Sequence, residues 1–506
     1  MSIKEFLFVN DDGFYEAGYV EGSISIRNCD SGVSVGDIVC ESSSLTNGVD
    51  KLTNNKDVRS AIGWVFNKPT STSAEILFDG LISGLSGLAK SGKVFLSSSG
   101  GFTSTKETEG YLHILGHAVD ADKFDFNPVN TKVKIYKPGF DFPLSYNNIV
   151  PSNLEAGSNI SDSMDMDGNT LVIGTSKKHF YVFTYDISSK TWTQEAKIVS
   201  PDTNPESFGK VVRIYNNTIV VTDGSYSVNG YTSNGRAYIY TRSGTTWTLK
   251  ATIDGPNEDN LYHLLADIYN DIIIIGSNKE DANSYSNNGV VRIYEFDGSN
   301  VTLKQTINGP NENNYYLGES GICVENNLLS IASYRKNTVH VYKYNGSSWV
   351  LDETISDSTG YFGKSISLNN NRLVVGADTN QSTASNFPGA FYVYTYDGTN
   401  WNGTGAIFSS HNIDGDHFGW DVSIYDDYIV VGAPYEDVGG DSDVGRVYFF
   451  EYDGTNWTEK QVVSGLSDSD FFGKGVYTYN NHIFASSLDS DLTVSNGGEI
   501  RDYKNS

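Results

Sequence analysis

A degenerate unit of about 50 residues recurs through the last two-thirds of the chain, and it limits the fold more than any other feature. Four segments align without gaps: FGKVVRIYNNTIVVT at 208–222, FGKSISLNNNRLVVG at 362–376, FGWDVSIYDDYIVVG at 418–432 and FGKGVYTYNNHIFAS at 472–486. Two weaker copies, at 160–174 and 262–276, keep the spacing, and a seventh at 317–333 fits with one extra residue. Each copy starts with a short alternating strand and a polar turn (369–371, 426–427). A strand apolar at successive positions follows, which makes a hairpin with its second strand buried on both faces.

Beyond each hairpin comes a variable Gly/Asn/Asp/Ser loop, then a third strand ending in Tyr or Phe, such as RAYIYTR at 236–242 and RVYFFEY at 446–452. After a turn, clearest as DGTNW at 397–401 and 453–457, a fourth strand starts near Trp192, Trp247, Trp349, Trp401 or Trp457, with Val301 in that place in the third copy. A unit of four antiparallel strands, repeated in seven copies, predicts an all-β chain whose residues 141–506 form a seven-bladed β-propeller. The recurring tryptophans suit the outer strands, where a large ring covers the gap between blades. The pairs Phe208-Gly209, Phe362-Gly363 and Phe418-Gly419 suit the start of the innermost strand, where glycine lets backbones crowd. Regular recurrence is what packing demands, so these positions are expected to be structural.

The last copy is incomplete. After 484–487 it supplies one more strand, around 499–503, while 142–150 resembles an outer strand without a blade. Pairing the two closes the ring across the termini and removes its exposed edges.

The fullest copy, residues 415–457, resembles the FG-GAP repeat, the blade of integrin-α-type propellers and of many bacterial and phage surface proteins. Phe418-Gly419 and Gly432-Ala433-Pro434 carry the resemblance. Calcium-binding members hold a DxDxDG-like loop between the first two strands; here that turn is only Tyr425-Asp426-Asp427-Tyr428, and Asp165, Asp167 and Gly168 are a fragment of such a loop. Calcium therefore has a second candidate site, the acidic loop bearing Glu436, Asp437, Asp441 and Asp443, with Glu280 and Asp281 in an equivalent loop. An exposed acidic loop explains the same residues, and the incomplete ligand spacing favours that explanation.

Residues 1–140 do not repeat the blade but also read as β, with GG and SG turns. The order Gly87-Leu88, Gly92, Phe95-Leu96-Ser97, Gly100-Gly101-Phe102-Thr103 and Gly116-His117-Ala118 resembles a small β domain of phage fibres, decoration proteins and tail components. Residues 137–148 are the expected hinge.

The net charge of −27 argues against a nucleic-acid partner, which needs clustered Lys and Arg. Three cysteines cannot make a disulfide framework; a Cys29–Cys40 bridge competes with free thiols, which are favoured. No basic start followed by an apolar run begins the sequence, and no stretch nears the roughly 20 apolar residues of a membrane span. Synthesis in a cytoplasm without general secretory export is the expectation, as for a virion protein released by lysis. Among eight histidines, only His417, beside Asp416 and Asp421, makes a cluster with acids, and its place at a Phe-Gly pair assigns it to packing.

These features fit a non-enzymatic bacteriophage virion protein, a capsid decoration, fibre or tail component. Residues 1–140 would bind other virion proteins, and the propeller, as a homo-oligomer on the particle, would bind a host surface glycan or protein. The binding loops would be 223–235, 277–289, 378–389 and 434–445, with Tyr226, Tyr231, Tyr285 and Tyr435 as ligand contacts. A bacterial cell-surface adhesin is the alternative. A glycan-degrading propeller enzyme is the third reading, and it predicts two carboxylates in one pocket.

Overall fold

A computed structural model of the chain describes residues 142 and 144–504, less 161–162, 188, 257, 259–263, 359, 379–387, 412, 414, 481 and 489–496; before residue 141 it describes only the backbone of the strands. The chain divides into two compact units, Met1–Phe140 and Asp141–Ser506. Cys29, Cys40 and the phage-like residues from Gly87 to Ala118 thus have no described side chains.

The first unit holds a closed five-stranded barrel, in the order Ile24–Cys29, Gly48–Lys51, Ile38–Glu41, Ala61–Thr70 and Ser73–Leu77. A five-stranded sheet also belongs to it, running Gly80–Ser83, Lys123–Phe126, Ile114–Asp120, Lys93–Leu96 and Phe102–Thr103.

The second unit is the seven-bladed propeller, each blade a four-stranded antiparallel sheet. Blades 1 to 6 begin at Met164, Val211, Leu264, Gly321, Tyr361 and Val422, and each runs from inner to outer strand in chain order. Blade 7 is composite: Val476–Tyr479, His482–Ser487 and Glu499–Lys504 are completed by Ser145–Ile149 from the start of the unit. Ser145 pairs with Lys504 and Ile149 with Ile500, so the ring closes by backbone hydrogen bonds across its ends. That corrects the expected hinge of 137–148, because from Ser145 onward those residues are blade 7's outer strand.

Second strands are buried on both faces, as in Leu171–Ile173, Ile219–Val221 and Leu328–Ser333. This is why they read as continuous apolar runs. All seven first hairpins turn through two residues, the first with positive φ: Gly168, Asn216, Asn270, Asn326, Asn370, Asp426 and Asn480. Gly, Asn and Asp recur there because they tolerate the left-handed region. Asn369 pairs with Arg372, so the turn expected at 369–371 is only Asn370 and Asn371. In the DGTNW turns, Asp397 and Asp453 each accept two backbone N–H groups, which hold both carboxyls below the usual carboxylate range.

The motif residues build the seams between blades. Phe208, Phe362 and Phe418 are buried, and Phe208 packs edge-on against Tyr238 at 5.0 Å and near Phe180 of blade 1 at 5.9 Å. At Gly209, Gly419 and Gly473 the glycine after the Phe nests on a glycine near the end of the previous blade's second strand, whereas Gly363 meets Ala332 and Thr338. A Cβ on Gly432 would lie 1.9 Å from the Gly473 carbonyl oxygen, and one on Gly376 would lie 2.3 Å from that of Gly419. The crowding that requires glycine is thus blade against blade rather than at the axis. Tryptophans close the same seams further out: Trp192 donates Nε1–H to Asp502 of blade 7 at 2.8 Å, and Trp247 donates to Glu195 of blade 1 at 2.8 Å. Trp349 and Trp401 are buried, and Trp457 packs on the blade 5–6 core.

Candidate functional site

Inner strands sit side by side around an axial channel of about 370 Å³. They do not form a backbone ladder with one another, so their N–H groups need other acceptors. Alternate side chains of one inner strand supply them to the next. Asp165 accepts from Ile214 N at 2.7 Å, Asp267 from Val324 N at 2.6 Å, Ser367 from Ile424 N at 3.1 Å and Asp421 from Val476 N at 2.9 Å. Asp167 accepts from Asn216 N. The fragment resembling a calcium loop therefore staples blade 1 to blade 2. Burial pushes Asp165 up to about 6 and Asp267 up to about 7, against the pull of the Arg213 guanidinium.

One mouth of this channel carries a different kind of site. The antiparallel hairpin places the start of each inner strand beside the end of the second strand, as in the pairing of Tyr361 with Asp378. Residues just after a second strand and residues around a Phe-Gly pair therefore share one rim. There a cavity of about 500 Å³ opens across blades 4, 5 and 6. Blade 4 contributes Tyr334 and Arg335 from a 3₁₀ turn, Tyr334–Lys336, that replaces the longer loop of blades 2, 3, 5 and 6 and is closed by Asn337 at φ 53°. Blade 5 contributes Tyr361, Lys364 and Asp378, and blade 6 contributes His417, Trp420 and Tyr435.

The aromatic rings form two groups that meet across the Lys364 ammonium. Tyr334 meets Tyr361 edge-on at 5.3 Å, Trp420 meets Tyr435 at 5.4 Å, and Tyr435 lies 4.6 Å from His417 and 5.4 Å from Phe471. The Lys364 ammonium sits 3.9 Å from the centre of the Trp420 ring and 5.3 Å from that of Tyr334. His417 Nδ1 is 2.7 Å from Asp378 Oδ1. Arg335 donates Nε–H to Glu319 at 2.6 Å while its guanidinium lies over Tyr316 and Tyr334. Apolar ring faces next to fixed donors and acceptors suit a polar ligand that also has a hydrophobic face.

Of the tyrosines expected to contact ligand, Tyr435 lines this cavity. Tyr226 lies under the Arg236 guanidinium at 4.8 Å, while Tyr231 and Tyr285 form the tip bridges of the blade 2 and blade 3 loops with Val228 and Ala282. The structure does not bring them to the same place as Tyr435. Nor does it gather the four acidic residues of the blade 6 loop. Glu436 is buried and accepts from Arg446 and, at 2.5 Å, from the Tyr448 hydroxyl. Asp437 accepts the Asp443 N–H at 3.0 Å, and Asp441 forms a backbone bridge with Val438. Among the described residues no group of three or more His, Cys, Asp or Glu side chains is placed to hold a metal ion. Glu280 likewise binds Arg292.

His417 pairs with Asp378 of the neighbouring blade rather than with Asp416 or Asp421. Asp421 lines the channel. Asp416 lies buried near Glu436, and burial, reinforced by that neighbour, pushes it up to about 7. Trp420, Lys364 and Tyr334 were missed by sequence reasoning. The available signal was at Trp420: it replaces the Lys of the FGK triplets at 208–210, 362–364 and 472–474, and it is the one propeller tryptophan outside an outer strand.

The architecture is that of a seven-bladed β-propeller. Within it, residues 401–450, the outer strand of blade 5 with the first three strands of blade 6, match the family model described as FG-GAP repeat. That segment includes His417, Trp420 and Tyr435. No curated protein matches the chain. Among solved structures, the crystal structure of the Saccharomyces cerevisiae Sqt1 aligns over 72% of this chain and 100% of its own, at 10% identity and a TM-score of 0.43.

Proposed function

We propose that this is a binding protein without enzymatic activity, whose propeller holds a host surface glycan in the cavity at the channel mouth. The carrying observation is the aromatic wall of Trp420, Tyr435, Tyr334 and Tyr361 beside the His417–Asp378 pair. Ring faces match the C–H face of a pyranose, and paired polar groups match its hydroxyls. Stiff blades hold these side chains in place, so little ordering is needed on binding. In this reading residues 1–140 anchor the chain to a phage capsid or tail, and several copies on a particle raise weak contacts to useful avidity. The phage-like order of motifs from Gly87 to Ala118 supports that anchor.

Glycan-array binding by the full chain, compared with Trp420→Ala and Tyr435→Ala, tests the ligand class. Wild-type binding lost in both variants, with the fold retained, is the expected result; equal binding by all three removes the site. Cryo-electron microscopy of purified virions tests the anchor, and absence of the chain from particles ends the virion reading. One observation favours the glycan-degrading alternative, the buried Asp416 beside Glu436. Release of new reducing ends from bound glycans, abolished by Asp416→Asn, would establish it.

A further inference from the structure

Lys364 is unusual among the cations of this chain. Its side chain is half-buried at the cavity wall, and its ammonium lies between the rings of Trp420 and Tyr334. Three carboxylates are near enough to act on it through space: Asp378, Glu319 and Asp421. Each has another neighbour. Asp378 lies beside His417 Nδ1, Glu319 accepts from Arg335, and Asp421 accepts the Ser365 hydroxyl and the Val476 N–H. Among the described residues, Lys364 has no ion pair of its own. Partial burial pulls its pKa below the ordinary lysine value, as a charge stripped of water without a matched partner requires. In a chain of net charge −27, an unpaired ammonium on the wall of a cavity is a conspicuous expenditure.

The same slot after Phe-Gly holds Lys210 and Lys474, which line a second cavity of about 330 Å³ on this rim. Their ammoniums likewise have no ion pair among the described residues. Lys474 is close enough to disfavour the charge on Lys364. Like charges brought to one mouth repel unless an anion sits among them.

We propose that the mouth cavity selects a sugar bearing a carboxylate, and that Lys364 is the residue that recognises the charge. This rests on the glycan-binding reading above. Trp420 and Tyr435 take the apolar face of the ring, and the carboxylate replaces the water that Lys364 has lost. A carboxylate suits the site better than a dianion, because Asp378, Glu319 and Asp443 stand around the same space and repel additional negative charge.

The test is calorimetric titration of the full chain with matched probes: trigalacturonate against its carboxyl-reduced trisaccharide, and sialyllactose against lactose. Wild type is expected to prefer an acidic probe by about tenfold or more over its neutral partner, the size of one charge-assisted hydrogen bond. Lys364→Met removes the ammonium from the Trp420 ring and should erase that preference, so that acidic and neutral partners bind alike. Lys364→Arg should retain it. Equal binding of acidic and neutral partners by wild type, or an unchanged preference in Lys364→Met, overturns the role of Lys364 and leaves glycan binding intact. Binding of triglutamate as tight as the best acidic sugar overturns the sugar class. If no probe binds wild type, the glycan reading fails together with this one.

Discussion

Trp420 and Asp421 are consecutive in sequence, yet one lines the mouth cavity and the other lines the axial channel. The two regions draw on the same inner strands and differ in how their polar groups are used. In the channel, Asp165, Asp267, Ser367 and Asp421 each take an N–H from the next blade. At the mouth, Lys364 faces two aromatic rings and has no ion-pair partner among the described residues. A polar group that completes its neighbour's backbone is explained by the fold; one left beside open aromatic surface is free to meet a ligand.

The tryptophans sharpen this contrast most. Trp349, buried between blades 3 and 4, should cost about 3–5 kcal/mol when changed to Ala, read from denaturant unfolding. Trp420→Ala should cost about 1 kcal/mol or less and abolish ligand binding. Comparable stability losses in the two variants would make Trp420 another packing residue. Next in size is Asp421→Ala, which strands the Val476 N–H and the Ser365 hydroxyl and should cost about 2–3 kcal/mol without changing ligand specificity.

The channel also predicts a pH slope. Burial raises Asp165 to about 6 and Asp267 to about 7, so the folded state binds these protons more tightly than the unfolded chain does. Their contribution favours the fold fully below the unfolded carboxyl pKa of about 4 and is lost as pH rises through about 6 to 7. Asp267→Asn keeps an acceptor for the Val324 N–H, and it should flatten the dependence of Tm on pH between about 4 and 7. An unchanged slope would remove the channel carboxyls from that role. The smallest effect is Trp192→Phe, which keeps a six-membered aromatic ring and deletes the pyrrole half with the N–H donated to Asp502; about 1 kcal/mol is expected. A neutral result would assign that seam to ring packing alone.

The repeats were legible because packing repeats. Every blade buries its second strand, turns its first hairpin through a left-handed residue and meets its neighbour at fixed slots, so Phe418, Gly432 and Trp457 recur in register. Ring closure was legible for a related reason, since 142–150 and 499–503 were each an incomplete blade. The cavity was not legible, because no single segment holds it. Tyr334 follows a second strand in blade 4, Lys364 follows a Phe-Gly pair in blade 5, and His417 comes just before one in blade 6. Their convergence depends on the ring bringing three blades to one rim. Long loops drew attention to Tyr226, Tyr231 and Tyr285, whereas the break in the pattern, Trp in the lysine slot at 420, points to the cavity. A departure of one copy from its siblings becomes visible only after the repeat has been aligned.

The most direct test is a structure of the full chain with the tightest-binding oligosaccharide. The account predicts the sugar against Trp420 and Tyr435, within reach of Lys364. Sugar bound instead on the blade 2 and blade 3 loops, at Tyr226, Tyr231 or Tyr285, with the mouth cavity empty, would contradict it.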